Sequence, residues 1–385
     1  MLDFSVSNEY QAIVEKYRDF VNRWVIPNRM KYDELAVFPW DIVKAAYDEG
    51  IMNGPIPKEY GGNGYDLRGS ALQSEELGAG CIGIGICIDA NTLALTPLLL
   101  AGTDEQKKKF FGWVVEGKGV AAYCLTEPNA GSDVQSISST AIRHGDKYIL
   151  NGHKRFITNG EVATFHTVFA ITDPEKGSRS LTALVVPRDL PGVEIVSRLD
   201  KMGQRASVQN EIKYHDVEMP VENRLGEEGR GFLIAMKTFD RTRTGVAALS
   251  VGCARSAFEI SKEWTQRRIQ FGKPIAANQA IAFMMADMAT EIEAARLLTW
   301  YAAWAYDSGQ RSASKLASMS KLYASDMAMK VTTDAVQIMG GEGYSREYPV
   351  EKMMRDAKLC QIYEGTNQVQ RIVISKNILK EMKTE

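Results

Sequence analysis

A single carboxylate, Glu364, stands between a tyrosine and a glycine in IYEGTNQVQR (362–371). Taken alone, it reads as a surface glutamate just ahead of a helix, where negative charge is favoured and Thr366 suits an N-cap. YCLTEPNAGSD (123–133) leaves an apolar strand through Pro128, Asn129 and Gly131. Such an irregular loop either presents backbone N–H groups among hydroxyls and carboxylates or simply makes a tight turn. In RFITNG (155–160) an aromatic, Phe156, precedes a hydroxyl, Thr158, by two positions at a second strand end. RRIQFGKPI (267–275) closes a long helix with two arginines, which either offset the negative helix end or bind phosphate. Asp89 lies in the apolar stretch GIGICIDANTLALTPLLL (83–100), where an acid is costly unless it is neutral or hydrogen-bonded, with Asn91 and Thr92 as nearby partners.

Other chemistries find little support. There is no G-x-S-x-G, H-E-x-x-H or P-loop, and His144, His153, His166 and His215 are scattered through one region. Cys81, Cys87, Cys124, Cys253 and Cys360 form no C-x-x-C pair and read as reduced core residues. Gly78, Gly80 and Gly83 spell G-x-G-x-x-G, but no strand precedes them and no βαβ pattern surrounds them, so the match is chance. A net charge of −2 from mixed signs argues against nucleic acid and anionic membranes, with EQKKKF (105–110) as a solvated helix face. No apolar run reaches spanning length, and the acidic, amphipathic start is unlike a signal or transit peptide, so the expected location is cytoplasmic.

The elements that must position these residues fall into three regions: 1–118, 119–226 and 227–385. The first is helical, with WDIVKAAYDEG ending on Gly50 and GTDEQKKKFFGWVVEG as another capped helix, separated by the loop PIPKEYGGNG. In the second, YILNG, RFITNG, TVFAITD, SLTALVVP, GVEIVS and EIKYHDVEM are short and rich in β-branched or aromatic residues, which predicts a β domain. The third holds four long amphipathic helices: 232–270, 279–307, the stretch up to Gly340, and one from Thr366. A four-helix bundle packs them economically. The expected class is α+β, mainly α.

Taken together, the chain resembles the acyl-CoA dehydrogenase family, especially its short- and medium-chain bacterial members. YCLTEPNAGSD, FITNG, MGQRAS, FDRTR, RRIQFGKPI, DAVQIMGGEGY, YPVEKMMRDAK and IYEGTNQVQR occur in the family's order and spacing. The resemblance implies FAD as cofactor, a homotetramer of paired dimers, and electron-transfer flavoprotein as acceptor. It places Tyr123, Cys124, Leu125, Thr126, Phe156, Ile157 and Thr158 along the isoalloxazine ring. Arg268, Phe271 and Gln279 of one subunit, with Gln337, Gly340 and Gly341 of its neighbour, would hold diphosphate and adenosine, and Thr366 and Gln368 would complete the site. Ser132, Asp240 and Arg243 fall where the family contacts CoA, with Ser132 also near the cofactor. Phe156 replaces a tryptophan carried by many relatives but still offers the flavin edge an apolar face.

In the family, the residue matching Glu364 takes the Cα proton of a saturated acyl-CoA while flavin N5 accepts the Cβ hydride, giving the trans-2-enoyl thioester. Its backbone N–H helps to hold the thioester carbonyl, and Gly365 lets the backbone approach the substrate. By the same likeness Asp89 sits at the far end of the acyl cavity, where medium-chain relatives carry glutamate, and would favour a compact or alicyclic acyl group. Relatives that oxidise cyclohexene-carboxyl-CoA have an aspartate near here but lack the usual glutamate; with Glu364 present, α,β-dehydrogenation is the expectation. Two other readings are a flavin oxidase of the same fold, which would release peroxide without an added acceptor, and a CoA-binding protein without activity, which would not take up FAD.

Overall fold

The computed structural model describes residues 7–381. The first region is built from α1 (Asn8–Phe20), α2 (Arg29–Leu35), α3 (Trp40–Asp48), α4 (Leu67–Gly80), α5 (Ile82–Ala101) and α6 (Asp104–Val115). Local chemistry sets their ends: Asp66 caps α4 through the Gly69 N–H, and Thr103 with Gln106 forms a capping box on α6. Gly50 takes φ 64° two residues beyond α3, as its position predicts. α5 is, contrary to the sequence expectation, long and apolar enough to cross a membrane by composition, with mean hydropathy 1.7. Its apolarity is that of a core helix, since most of it is buried and it packs on its neighbour α4 and on the chain beyond residue 120. The G-x-G-x-x-G glycines straddle the α4–α5 junction and allow close approach: a Cβ on Gly78 would collide with the Leu249 backbone.

The strands are β1 (Ala121–Cys124), β2 (Thr140–His144), β3 (Lys147–Thr158), β4 (Phe165–Ile171), β5 (Leu181–Pro187), β6 (Val193–Arg198), β7 (Gln209–Pro220) and β8 (Arg224–Leu225). They form one sheet in the order β6-β7-β3-β2-β4-β5-β8, with β1 parallel to β4. YILNG and RFITNG, read as two strands, are one strand, β3, bent by irregularities in its pairing with β7 at Leu150/Gly152 and Lys154/Ile157. The second irregularity brackets Phe156, which takes φ 59° and turns outward, 56% exposed. The polar strand β2 escaped the sequence reading because TAIRH lacks the β-branched density of its neighbours.

The third region comprises α7 (Gly231–Arg267), a hairpin of β9 (Ile269–Gln270) and β10 (Lys273–Pro274), α8 (Gln279–Asp307), α9 (Ala313–Met339), α10 (Gly341–Tyr344), α11 (Val350–Cys360) and α12 (Asn367–Glu381). α7 stops sooner than expected, so Arg268 is extended and opens the hairpin that carries Phe271 at its tip. The helical bundle is present with an additional member. α11 sends Val350, Met353, Ala357 and Cys360 into the core shared by α7, α8 and α9, whereas α12 lies against α9. All five cysteines are buried and unpaired.

Candidate active site

Glu364 sits in the turn between α11 and α12, where Glu364 (φ 53°) and Gly365 (φ 91°) are both left-handed. For a glutamate this backbone costs about 1–2 kcal/mol and persists only when its surroundings fix it. Four hydrogen bonds to two successive carbonyls do so. Arg243 Nε donates to Glu364 O at 3.3 Å, Gln370 Nε2 donates to Glu364 O at 3.3 Å and Gly365 O at 2.8 Å, and Lys321 Nζ donates to Gly365 O at 2.9 Å. A Cβ at Gly365 would stand 2.6 Å from Gln370 Nε2 and push aside the amide that holds both carbonyls, while φ 91° itself calls for glycine. Thr366 caps α12, its hydroxyl accepting from the Val369 N–H at 3.2 Å. Among the described residues the Glu364 N–H has no protein partner.

The Glu364 carboxylate accepts from Thr242 Oγ1 at 2.7 Å. Burial raises its pKa to about 7, with Thr242, Arg243 and Lys321 pulling it down and Asp89 pushing it up. Asp89 is thus close enough for its charge to bear on Glu364. Burial raises its own pKa to about 6; Oδ1 accepts from Gln73 Nε2 at 3.2 Å, and Oδ2 is buried without a partner. Neither Asn91 nor Thr92 satisfies it. The Asn91 amide is taken by Asn53 and the Ala121 N–H, because packing of α4 on α5 decides the partner.

Around this centre Arg243 is buried and bonded to Asp240 at 3.2 Å, and Asp240 also accepts from Ser314 at 2.9 Å. Tyr123 packs between Phe169 and Phe239; its hydroxyl is buried without a partner and feels the Glu364 charge. Leu125 and Thr126 follow at the end of β1, and the Arg155 N–H donates to Thr126 O at 3.0 Å, joining this segment to Phe156, Ile157 and Thr158. Cys124 and Ile157 are buried behind that surface, while Phe156 projects from its bulge and Thr158 meets Gln209 at 3.3 Å. Ser132 is exposed on the loop beyond.

The remaining expected residues stand elsewhere. α7 carries both Thr242 and Arg267, roughly 38 Å apart along its axis at about 1.5 Å per residue. Arg268, the 96% exposed Phe271 and Gln279 therefore belong to the far end of the bundle. Gln337, Gly340 and Gly341 close α9 at that same end, where side chains at the two glycines would meet nothing within 4 Å. Gln368 is exposed in the first turn of α12. Sequence reasoning missed Thr242, Lys321, Gln370 and Asn367. A lysine among small residues in KLASMSKLYASD was the available signal for Lys321.

A desolvated carboxyl held by a hydroxyl, with an unpartnered buried phenol nearby on a helical–β–helical chain, is a site able to accept a proton away from bulk water. Known proteins agree. Residues 7–118, 122–217 and 229–379 match the family models for the N-terminal, middle and C-terminal domains of acyl-CoA dehydrogenase. The cyclohex-1-ene-1-carbonyl-CoA dehydrogenase of Geobacter metallireducens is 42% identical, covering 97% of this chain and 99% of that one. Butyryl-CoA dehydrogenase from Megasphaera elsdenii superposes with a TM-score of 0.95 at 41% identity, covering 98% of this chain and 100% of that one. A chain in a structure described as the electron transferring flavoprotein of Acidaminococcus fermentans gives a TM-score of 0.96 at 44% identity, with 98% and 100% covered.

The chain belongs to the acyl-CoA dehydrogenase family. It is an FAD-dependent oxidoreductase of acyl-CoA thioesters. The residues present fit a flavin beside Glu364: an outward aromatic at a strand bulge, a nearby hydroxyl and an unpartnered buried phenol.

Proposed function

We propose that this enzyme dehydrogenates short or alicyclic acyl-CoA between Cα and Cβ, with Glu364 as the base. The observation that carries the reading is the Glu364 carboxyl itself, enclosed on a fixed left-handed turn and titrating near 7, where proton acceptance and ionisation are balanced. Its N–H, free of protein partners, is a donor for the thioester carbonyl and so for the enolate charge that develops there. Tyr123, Phe156 and Thr158 would line the flavin, which when bound supplies the two-electron acceptor for the Cβ hydride. Glu364 takes the Cα proton on a carboxylate oxygen, and Thr242 holds that carboxylate in place.

The far end of the bundle reaches a flavin beside Glu364 most directly from a second copy, which supports an oligomer, a homotetramer of paired dimers on the family pattern. Arg268→Ala tests this. The purified variant should be pale, with FAD occupancy well below wild type after gel filtration, whereas full occupancy would leave Arg268 no role in holding the cofactor. Electron-transfer flavoprotein is the acceptor we propose, and cytoplasm the location.

Asp89 argues for a compact acyl group, since an acid at the cavity boundary disfavours a long apolar chain. Anaerobic bleaching of bound flavin by butyryl-, octanoyl- and cyclohexanecarboxyl-CoA tests the whole reading. Wild type should bleach with the first or the third and poorly with octanoyl-CoA, and Asp89→Ala should shift the ranking toward octanoyl-CoA. An unchanged ranking in a normally folded variant would make Asp89 structural, and no bleaching by any thioester would sink the substrate assignment.

A further inference from the structure

Lys321 lies in α9 and is fully buried, yet no carboxylate stands within ion-pair distance of it among the described residues. Small neighbours, Ala317, Ser318, Ala324 and Ser325, leave room for its stem. Its ammonium donates to Gly365 O and to Asn367 Oδ1, each at 2.9 Å. The Asn367 amide nitrogen is committed to Ser325 at 2.9 Å and Asp326 at 2.7 Å, which turns the amide oxygen toward the lysine.

A turn needs no cation to hold it. Gln370, a neutral amide, already donates to the same Gly365 carbonyl. Burying an ammonium without a paired carboxylate is costly, so its charge has to be used by something close. The charged and titratable groups that face Lys321 are Cys360 of α11, Glu364, Arg243 of α7 and Asp326 of α9. Those that face Glu364 are Arg243, Lys321 and Asp89, with the hydroxyl of Thr242.

Building on the reading of Glu364 as base, we propose that Lys321 is a positioning residue for the reaction: seated on the Gly365 carbonyl, its ammonium fixes the bend that aims the Glu364 carboxylate and places positive charge behind it. Burial lowers the lysine to about 8, with Cys360 and Glu364 opposing, and the Gly365 and Asn367 oxygens to which it donates favour its charged form. Arg243 contributes on the neighbouring carbonyl but is also tied to Asp240, whereas Lys321 has no such counter-ion.

The test uses FAD-loaded enzyme and follows flavin bleaching at saturating acyl-CoA across pH 5 to 9 in Lys321→Met, Lys321→Gln and Lys321→Arg, with Glu364→Gln in parallel. Lys321→Met should keep FAD, lose rate on the order of 10²-fold, and move the acid limb of the profile up by about one unit. Lys321→Gln, which retains a hydrogen-bond donor but no charge, should move the limb similarly, and Lys321→Arg should restore it. An acid limb unmoved in the folded Met or Gln variant, or a loss of rate that merely tracks lost FAD, would overturn the proposal. If Lys321→Met does not fold, Lys321→Gln decides alone by the same limb. Activity in Glu364→Gln would instead remove the base assignment on which the proposal rests.

Discussion

In Glu364→Gln, reduction of the bound flavin by acyl-CoA should fall by at least about 10³-fold while FAD content and thioester binding persist. The substitution keeps the volume, the left-handed backbone and a group able to meet Thr242, and removes only the proton acceptor. Both carbonyl clamps are main-chain contacts, so Arg243, Gln370 and Lys321 have the same partners in the variant. Wild-type activity should rise with pH through about 7 as Glu364 ionises, and the residual rate of the variant should lack that limb. Near wild-type bleaching would place the base elsewhere, on another helix of the bundle.

The second large effect is on stability. Lys154 of β3 is fully buried, and its ammonium donates to Glu127 at 2.8 Å, Phe169 O at 2.8 Å and Leu125 O at 3.1 Å. It thereby fastens the loop after β1 to β4, beneath the segment expected against the flavin. Burial alone would raise the Glu127 carboxyl, but the Lys154 charge and hydrogen bond, with Ser139 and the Ser138 N–H, hold it at about 2. Lys154→Met strands that carboxylate and should cost about 3–5 kcal/mol, with a fall in Tm of about 5 °C and weaker FAD retention. The double variant with Glu127→Gln should recover part of the loss, because removing both charges is less harmful than removing one. A thermal shift below about 2 °C in the single variant would show that the pair contributes little.

Much of this was legible in the chain. The order of helical, β and helical regions follows from period and turn residues, and Glu364, Gly365 and Thr366 mark their own turn. What escaped depends on contacts between distant segments. Phe156 turns outward only because β3 slips against β7, a property of two strands in register. The hold on Glu364 is assembled from Thr242, Lys321 and Gln370 on three separate helices, none remarkable in its own stretch. Asp89 takes its partner from α4 rather than from the neighbours on its own helix.

The enclosed carboxyl of Glu364 also couples the fold to proton uptake. An ordinary glutamate ionises near 4.5, and this one near 7, so between those values the unfolded chain sheds a proton that the folded chain keeps. The Glu364 contribution to folding stability is therefore undiminished below about 4.5, declines across the interval, and has fallen by about 3 kcal/mol above 7. Asp89, raised to about 6, adds a decline of the same sign. In the flavin-free chain the ionised base is a standing cost above about 7, and a carboxamide at 364 releases that tension along with the activity.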